Sequence, residues 1–310
     1  MKEKFIRSCL NYTGGKFKLL PQIFPLFPDK INNFTDLFAG GGVVGINMAD
    51  KYDMFGSSEN KFILNDIESH VIDLFKLLKT IDNNQLIVRI EEIIDYYQLS
   101  NTRQHGYDYY GVQSSSGLGS YNKEKYASLR NDYNMGKFEG PDRDIVFYIL
   151  IIYGFNNQIR FNRKGEYNLP VGKRDFNANM RSKLKEFQET LHNHEFLFEN
   201  KDFRELIDFE KDDFIYCDPP YRITTASYNE NGGWSLNDDF ALFDYLDKAN
   251  NAGAKFALSN VAVHNNFGND ELIQWSSKYN LHILDYHYNN SNYQSKAKQS
   301  STVEVLITNY

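Results

Sequence analysis

The sequence predicts an open α/β sheet interrupted by an insertion, and three observations carry that prediction. Short apolar runs alternate with helical spacings near both ends of the chain. Two of these runs, Phe34-Thr35-Asp36-Leu37-Phe38 and Lys61-Phe62-Ile63-Leu64, flank a glycine turn and a helical segment. The rhythm stops across residues 80–185 and resumes after them, so the sheet is expected to come from two separate pieces of sequence.

Each element follows from its local pattern. Residues 34–38 read as a strand, Ala39-Gly40-Gly41-Gly42 as a turn, 43–51 as a helix, and 61–64 as a second strand ending at Asn65-Asp66. Helical spacing covers 69–79 and 85–97. A stretch rich in Tyr, Ser, Gly and Asn follows at 98–119, then a helix over 121–133 and a buried one over 142–153. A basic segment occupies 156–185. The α/β pattern returns with strands at 195–198 and 214–217, a helix at 241–253 and a strand at 255–261. Residues 281–288 and 303–308 then read as a closing antiparallel pair.

The 310 residues suffice for one large domain or for a core with an inserted subdomain. The composition, 41% hydrophobic and 24% charged, is that of an ordinary soluble protein. The 24 Phe and 22 Tyr suit base stacking, and equally an AT-rich coding bias. A net charge of −7 argues against a general polyanion binder, although local charge overrides the total. Two cysteines, Cys9 and Cys217, build neither a disulfide framework nor a metal site, and the seven histidines show no metal-binding spacing. With no signal peptide and no apolar run near 18 residues, a cytoplasmic protein without membrane spans is expected.

Five segments carry candidate chemistry. The strand Phe214-Ile215-Tyr216-Cys217 ends at Asp218-Pro219-Pro220-Tyr221. The prolines donate no backbone hydrogen bond and stiffen the chain. The Asp218 carboxylate and the Pro219 carbonyl are then fixed acceptors beside an aromatic ring, an arrangement that suits a flat substrate carrying an amine, such as a nucleobase. Cys217 adjoins this motif, but a strand-end residue without an evident base reads as core rather than as a nucleophile.

Gly40-x-Gly42-x-x-Gly45 matches the dinucleotide fingerprint, and Asp66 stands about 20 residues on, as a ribose-binding acid does. A nicotinamide cofactor, S-adenosyl-L-methionine and a plain tight turn all fit this pattern. Asp36 favours the second, because a carboxylate inside the strand is poorly placed for a pyrophosphate and well placed for a cationic amino-acid group. Tyr12-x-Gly14-Gly15-Lys16 reads as an anion site or a flexible turn. Asp202-Phe203 follows a strand end, where open sheets bind ligands, and reads equally as a helix cap followed by a core ring. Residues 156–185 hold Arg160, Arg163, Lys164, Lys173, Arg174, Arg181, Lys183 and Lys185 against only Glu166 and Asp175. Phe155, Asn156, Asn157, Phe161, Asn162 and Tyr167 are interleaved with them. This mixture suits phosphates and base edges or a solvated face.

In order, these elements resemble the Dam-like DNA adenine-N6 methyltransferases. The resemblance runs from residues 11–16 through Asp36-Leu37-Phe38-Ala39-Gly40-Gly41-Gly42, Leu64-Asn65-Asp66, the segment 155–170, Asp202-Phe203 and Asp218-Pro219-Pro220-Tyr221 to residues 303–310. It departs at Asn157, where members often have glycine, and the stretch 98–119 has no counterpart. The resemblance implies a Rossmann-like methyltransferase sheet over 1–79 and 186–310. It places an inserted, mainly helical DNA-recognition subdomain carrying a β-hairpin over 80–185.

It implies S-adenosyl-L-methionine as cofactor, held by Tyr12, Lys16, Asp36, Phe38, Gly40, Gly42, Asp66, Asp202, Phe203 and Asp218. It implies catalysis by Asp218, Pro219, Pro220 and Tyr221 without a metal, and DNA contacts from Asn156, Arg160, Asn162, Lys164, Lys173 and Arg174. The implied partners are duplex DNA with a short target, GATC at the family level, and a separately acting cognate restriction endonuclease. The implied chain is a monomer or weak dimer. Three rivals are a methyltransferase of RNA adenine or cytosine N4, a nicotinamide oxidoreductase, and a DNA-binding module with a dead site. The oxidoreductase leaves the Pro-Pro-Tyr site and the basic segment unexplained, and the intact motif argues against a dead site.

Overall fold

The structure is a computed structural model that describes residues 4–10, 12, 14–54, 61–113, 115–224, 233–285 and 302–310, with backbone alone for 52–54. Asn11 and the end of the strand predicted over 281–288 lie outside these residues. Among them, eight strands form one sheet: β1 (Phe34–Asp36), β2 (Phe62–Asn65), β3 (Phe196–Glu199), β4 (Phe214–Cys217), β5 (Lys255–His264), β6 (Phe267–Gly268), β7 (Asn280–Leu284) and β8 (Thr302–Thr308). The spatial order is β3-β2-β1-β4-β5-β8-β7, with β6 paired to β5. The first five strands of that order are parallel, and β8 runs antiparallel to both β5 and β7.

The helices in chain order are α1 (Leu20–Ile23), α2 (Val43–Met54), α3 (Ser69–Thr80), α4 (Asn83–Tyr96), α5 (Thr102–His105), α6 (Gly119–Asn134), α7 (Pro141–Tyr153), α8 (Ala178–Asn193), α9 (Leu236–Asn251) and α10 (Asp270–Ser276). Side chains alternate along β4 as a strand dictates. Phe214 and Tyr216 enter a core shared with α1, α2, α3 and α8, while Ile215 and Cys217 enter a second core under α9 and α10. The first core extends without a break into the insertion. Residues Ile145 to Tyr153 of α7 are all buried, as a helix enclosed by other helices requires.

Two predicted features need correction. The basic run 156–185 hides α8, whose apolar residues Met180, Leu184, Phe187 and Leu191 face the core. The segment is therefore a hairpin, a short strap and a helix, and not one continuous basic surface. Helix α9 also begins five residues ahead of the predicted start, because Ser235 and Asp238 form a capping box that fixes its first turn.

The hairpin spans residues 154–172. Bridges pair Gly154 with Val171 and Phe161 with Tyr167, and backbone bonds join Asn162 N to Glu166 O at 2.9 Å and Asn168 N to Arg160 O at 3.1 Å. Helix α6 holds it through Asn134, which bonds both N–H and C=O of Tyr167, and through Arg130 on the Leu169 carbonyl. Phe161 stacks on His70 of α3 at 4.4 Å.

Asn157, the departure from the family pattern, has φ +54°. That is a backbone region that suits glycine and that asparagine tolerates better than most residues. Its side-chain amide donates to the carbonyls of Ile151 and Ile152 at 3.0 and 2.9 Å, capping the end of α7. Asn157→Gly should lose those bonds alone, about 1–2 kcal/mol. Asn157→Ala should add left-handed strain and cost about 1 kcal/mol more. Urea unfolding of both variants checks the order.

Candidate active site

Strand β1 lies between β2 and β4, and the chain leaves it toward β2 and β3 on one side while β4 leads to β5 on the other. This is the switch point at whose carboxyl edge open sheets bind ligands. Asp36 ends β1, Asp66 follows β2, Asp202 follows β3 and Asp218 follows β4, so the register of the sheet places four separated acids along one edge.

Lys16 is 5% exposed, and its ammonium stands 2.9 Å from Asp218 Oδ2. Burial pulls this ammonium down. Asp218, then Tyr216 and Glu304, more than offset that, and the group sits above the ordinary lysine value. The other Asp218 oxygen accepts from the Tyr221 hydroxyl at 2.7 Å. Burial, then the Asp218 charge, pushes the Tyr221 phenol well up, so it stays protonated and donates. Lys16 also lies 5.0 Å from the centre of the Tyr221 ring. Among the residues singled out in sequence, Lys16, Asp218 and Tyr221 form one connected group.

Asp36 is 1% exposed. Its Oδ2 accepts from Gly45 N at 3.2 Å, and its Oδ1 has no hydrogen-bond partner among the described residues. Burial first, then the Asp218 charge, raises its carboxyl well above the usual range. Asp66 Oδ2 accepts from Gly40 N at 2.7 Å and Oδ1 from Glu68 N at 2.9 Å. Burial raises this carboxyl too, against the pull of those N–H groups.

The glycine turn has two kinds of requirement. Gly40 and Gly42 have φ of +48° and +69°. Gly45 is a matter of space, since a Cβ there would stand 2.2 Å from Leu64 Cδ2 on β2. The ring of Tyr12 and the hydroxyl of Ser8 close on the turn from outside, within 3.0 Å of where Cβ atoms at Gly40 and Gly41 would be.

Other candidates are placed less centrally. Asp202 caps the short helix at Phe203–Glu205 and pairs with Arg204 at 2.8 Å, so any ligand would share its carboxylate with that arginine. Phe203 is buried against Phe38 at 5.5 Å and Trp234 at 5.7 Å. In the hairpin, Arg160 donates to Asn168 Oδ1 and O at 2.8 and 3.1 Å. Asn162 closes the tip by accepting from Lys164 N and Glu166 N. Asn156, Lys164, Lys173 and Arg174 are exposed. Cys217 is fully buried, and burial pushes its thiol well up, which leaves it inert as a nucleophile.

Three features escape the sequence reading. Glu304 is 2% exposed and acts electrostatically on Lys16 and Tyr221; a lone acid in the apolar strand 303–308 was its signal. Ile67, beside Asp66, is 73% exposed and places apolar surface at the ligand edge. The Tyr221 hydroxyl, secondary to the ring in a stacking argument, holds the carboxylate.

Strand order, switch point and glycine turn together define a Rossmann-like methyltransferase sheet. The family model for D12 class N6 adenine-specific DNA methyltransferases matches residues 12–290, and the chain belongs to that family. It is 40% identical over 317 residues to a Type II methyltransferase, M.FokI, of Planomicrobium okeanokoites, covering 99% of this chain and 43% of that protein. It is 38% identical over 319 residues to the modification methylase StsI of Streptococcus sanguinis, with coverages of 99% and 43%. A third relative, the Type II methyltransferase M1.LlaDCHI of Lactococcus lactis subsp. cremoris, is 27% identical over 314 residues, covering 98% of this chain and 96% of that protein. The chain thus spans less than half the length of the first two relatives. No helix among the described residues is long and apolar enough to cross a membrane.

Gly45→Ala tests the turn. The added methyl has only Leu64 to displace, so the variant should lose about 1–3 kcal/mol of stability, and the same substitution should cost less in a Leu64→Ala background, whose own cavity cost is subtracted by measuring Leu64→Ala alone. Denaturant midpoints of the single and double variants check this.

Proposed function

We propose that the chain transfers a methyl group from S-adenosyl-L-methionine to the N6 amine of an adenine in a short duplex DNA target, as a modification enzyme of a restriction-modification or Dam-like system. The observation that carries this reading is Asp218, fixed between Lys16 and Tyr221 at the switch point and followed by two prolines. Family membership and the names of the relatives support it.

The residues fit the cofactor. The buried, unpartnered Asp36 Oδ1 suits a cationic amine, and the turn at Gly40 and Gly42 lets a ligand approach a helix N-terminus closely. Tyr12, Lys16, Asp36, Phe38, Asp66 and Asp218 would hold the cofactor, with Phe203 behind Phe38, Ile67 against its apolar parts, and Asp202 at the rim. When bound, S-adenosyl-L-methionine supplies an electrophilic methyl group.

The protein's part is to activate and align the amine. The adenine lone pair is delocalised into the ring. A carboxylate has about four lone-pair positions, so Asp218 keeps acceptor capacity beyond Lys16 and Tyr221. Acceptance by Asp218 and the Pro219 carbonyl, with Pro220 fixing the turn, draws the amine toward tetrahedral geometry. The base leaves the duplex to reach them and stacks on Tyr221. Residues 1–79 and 186–310 form the catalytic part and 80–185 the target-recognition part. Lys164, Lys173 and Arg174 meet phosphates, and Asn156, Arg160 and Asn162 lie at the base-reading hairpin. The relatives' names, Type II methyltransferase and modification methylase, favour a separate endonuclease as partner, and a DNA substrate fits a cytoplasmic site of action.

The central experiment is transfer of tritium from labelled S-adenosyl-L-methionine to duplex DNA and, in parallel, to RNA. Wild-type protein should label duplex adenine. Asp218→Ala should abolish transfer, and Tyr221→Phe should slow it through the lost hydrogen bond. Label found only in RNA or in cytosine overturns the substrate assignment.

A second test uses the raised Asp36 carboxyl. A folded-state value above the unfolded one stabilises the protein fully below the unfolded value. That contribution is lost as pH rises through the folded value. Asp36→Asn has no such loss. Relative to the wild type it should therefore gain thermal stability as pH rises above about 4, the unfolded aspartate value, while binding the cofactor more weakly. Melting curves and titration calorimetry across pH check both parts. A melting difference independent of pH counts against the buried acid.

A further inference from the structure

Arg222 follows the catalytic motif directly, and its guanidinium makes three side-chain hydrogen bonds through Nε and Nη2. Nε donates to Asp239 Oδ2 at 2.7 Å, and Nη2 donates to Asn269 Oδ1 at 3.1 Å and to Glu271 Oε2 at 2.7 Å. Asp239 stands in the first turn of α9 and is 2% exposed. Asn269, 1% exposed, precedes α10, and Glu271 lies in its first turn. The chain leaving Tyr221 is therefore tied to two helices on the second core of the sheet.

The same carboxylate has a second partner. Asp239 Oδ1 accepts from the Trp234 indole N–H at 2.7 Å. The Trp234 ring stands edge-on to Phe38 at 5.6 Å and tilted against Phe203 at 5.7 Å. Those two rings belong to the cofactor side of the site, whereas Arg222 adjoins Tyr221 on the base side. One buried carboxylate, with one oxygen for each side, joins the two halves.

We propose that Arg222, Asp239 and Trp234 form a positioning unit that couples the cofactor pocket to the target-base pocket. The inference rests on the methyltransferase reading above and concerns how that reaction is aligned. None of the three touches the reacting atoms. Arg222 sets the course of the backbone after Tyr221, and so the reach of the Tyr221 hydroxyl to Asp218. Trp234 sets the rings on which the cofactor side rests. In-line transfer depends steeply on alignment, and a misplacement near 1 Å costs about 10²-fold in rate. A buried ion with one donor from each side transmits such a shift, because Arg222 cannot leave it without stranding its charge and Trp234 cannot leave it without stripping one buried oxygen of its hydrogen bond.

The test compares Arg222→Ala, Arg222→Lys, Trp234→Phe and the double variant Arg222→Ala/Trp234→Phe, each checked for folding by circular dichroism. Trp234→Phe keeps a smaller aromatic ring against Phe38 and Phe203 and removes the N–H contact, so it reports on the unit even if Arg222→Ala folds poorly. The first readout is the single-turnover rate of methyl transfer to duplex DNA. Arg222→Ala and Trp234→Phe should each slow it by about 10–100-fold, Arg222→Lys should recover part of the loss, and the double variant should be no slower than the slower single one.

The second readout needs no turnover. It is the factor by which S-adenosylhomocysteine, the demethylated cofactor, tightens DNA binding, a coupling expected at about 5–150-fold in the wild type. This factor should fall toward one in both single variants, while in Arg222→Ala, which lies on the base side, the affinity for S-adenosylhomocysteine without DNA stays within about threefold. A merely structural staple would lower stability and leave the factor unchanged. Wild-type rates in both single variants, independent multiplying losses in the double variant, or an unchanged factor would overturn the unit. A wild type that labels no duplex DNA overturns the methyltransferase reading itself, a result distinct from all of these.

Discussion

The site depends on a single ion pair. Lys16 brings a nearly buried ammonium to a strand-end carboxylate, across more than 200 residues of sequence. The Lys16 ammonium would not be tolerated there alone, since removing the partner of a buried charge costs about 3–5 kcal/mol. The pair therefore holds the N-terminal segment against the sheet. It brings Tyr12 over the glycine turn and leaves the Asp218 carboxylate oriented, with its second oxygen fixed by Tyr221. Asp36, one strand away, has no such relief. Only the Gly45 N–H offsets its burial, its other oxygen has no partner among the described residues, and this makes its environment one that calls for a cation.

Much of this was legible in the sequence because the signals are local. A strand ending in an acid, a run of glycines and a pair of prolines each dictate backbone shape within a few residues, and the sheet then only has to set them side by side. Asp66 and Asp218 stand at strand ends in both sequence and structure for that reason, whereas Asp36, expected inside a strand over 34–38, ends β1 because the chain turns two residues earlier. Helix α8 was not legible, because its lysines and arginines overlie an apolar face spaced at three and four residues. Charge count and periodicity pointed different ways there, and periodicity reports the packing. The anchoring of Asn162 and Arg160 within the hairpin was hidden for a related reason, since a residue type that reads bases also closes turns. The partners of Arg222 lie 17, 47 and 49 residues further on, and no local pattern announces contacts of that kind.

The two readings left open for Asp202 and Phe203 show how structure adds to pattern. The carboxylate caps a short helix and the ring is buried, as the plainer reading holds. The ring also backs Phe38, so its packing bears on the ligand edge without its touching that edge. A core residue can shape a pocket from behind, and pattern alone does not separate the two roles.

The hairpin has a consequence for how such a protein changes over time. Its shape is set by backbone bonds between its arms, by the side chain of Asn162 across its tip and by α6 and α7 beneath it. Arg163, Lys164 and Gly165 project from that frame into solvent. The frame and the projecting positions are thus separable in evolution. Tip side chains can be exchanged while the scaffold stays under strict packing selection, and new surface chemistry can be sampled there without passing through an unfolded ancestor. Transplanting the hairpin whole is a different matter, because its base is built into the same core as the catalytic sheet.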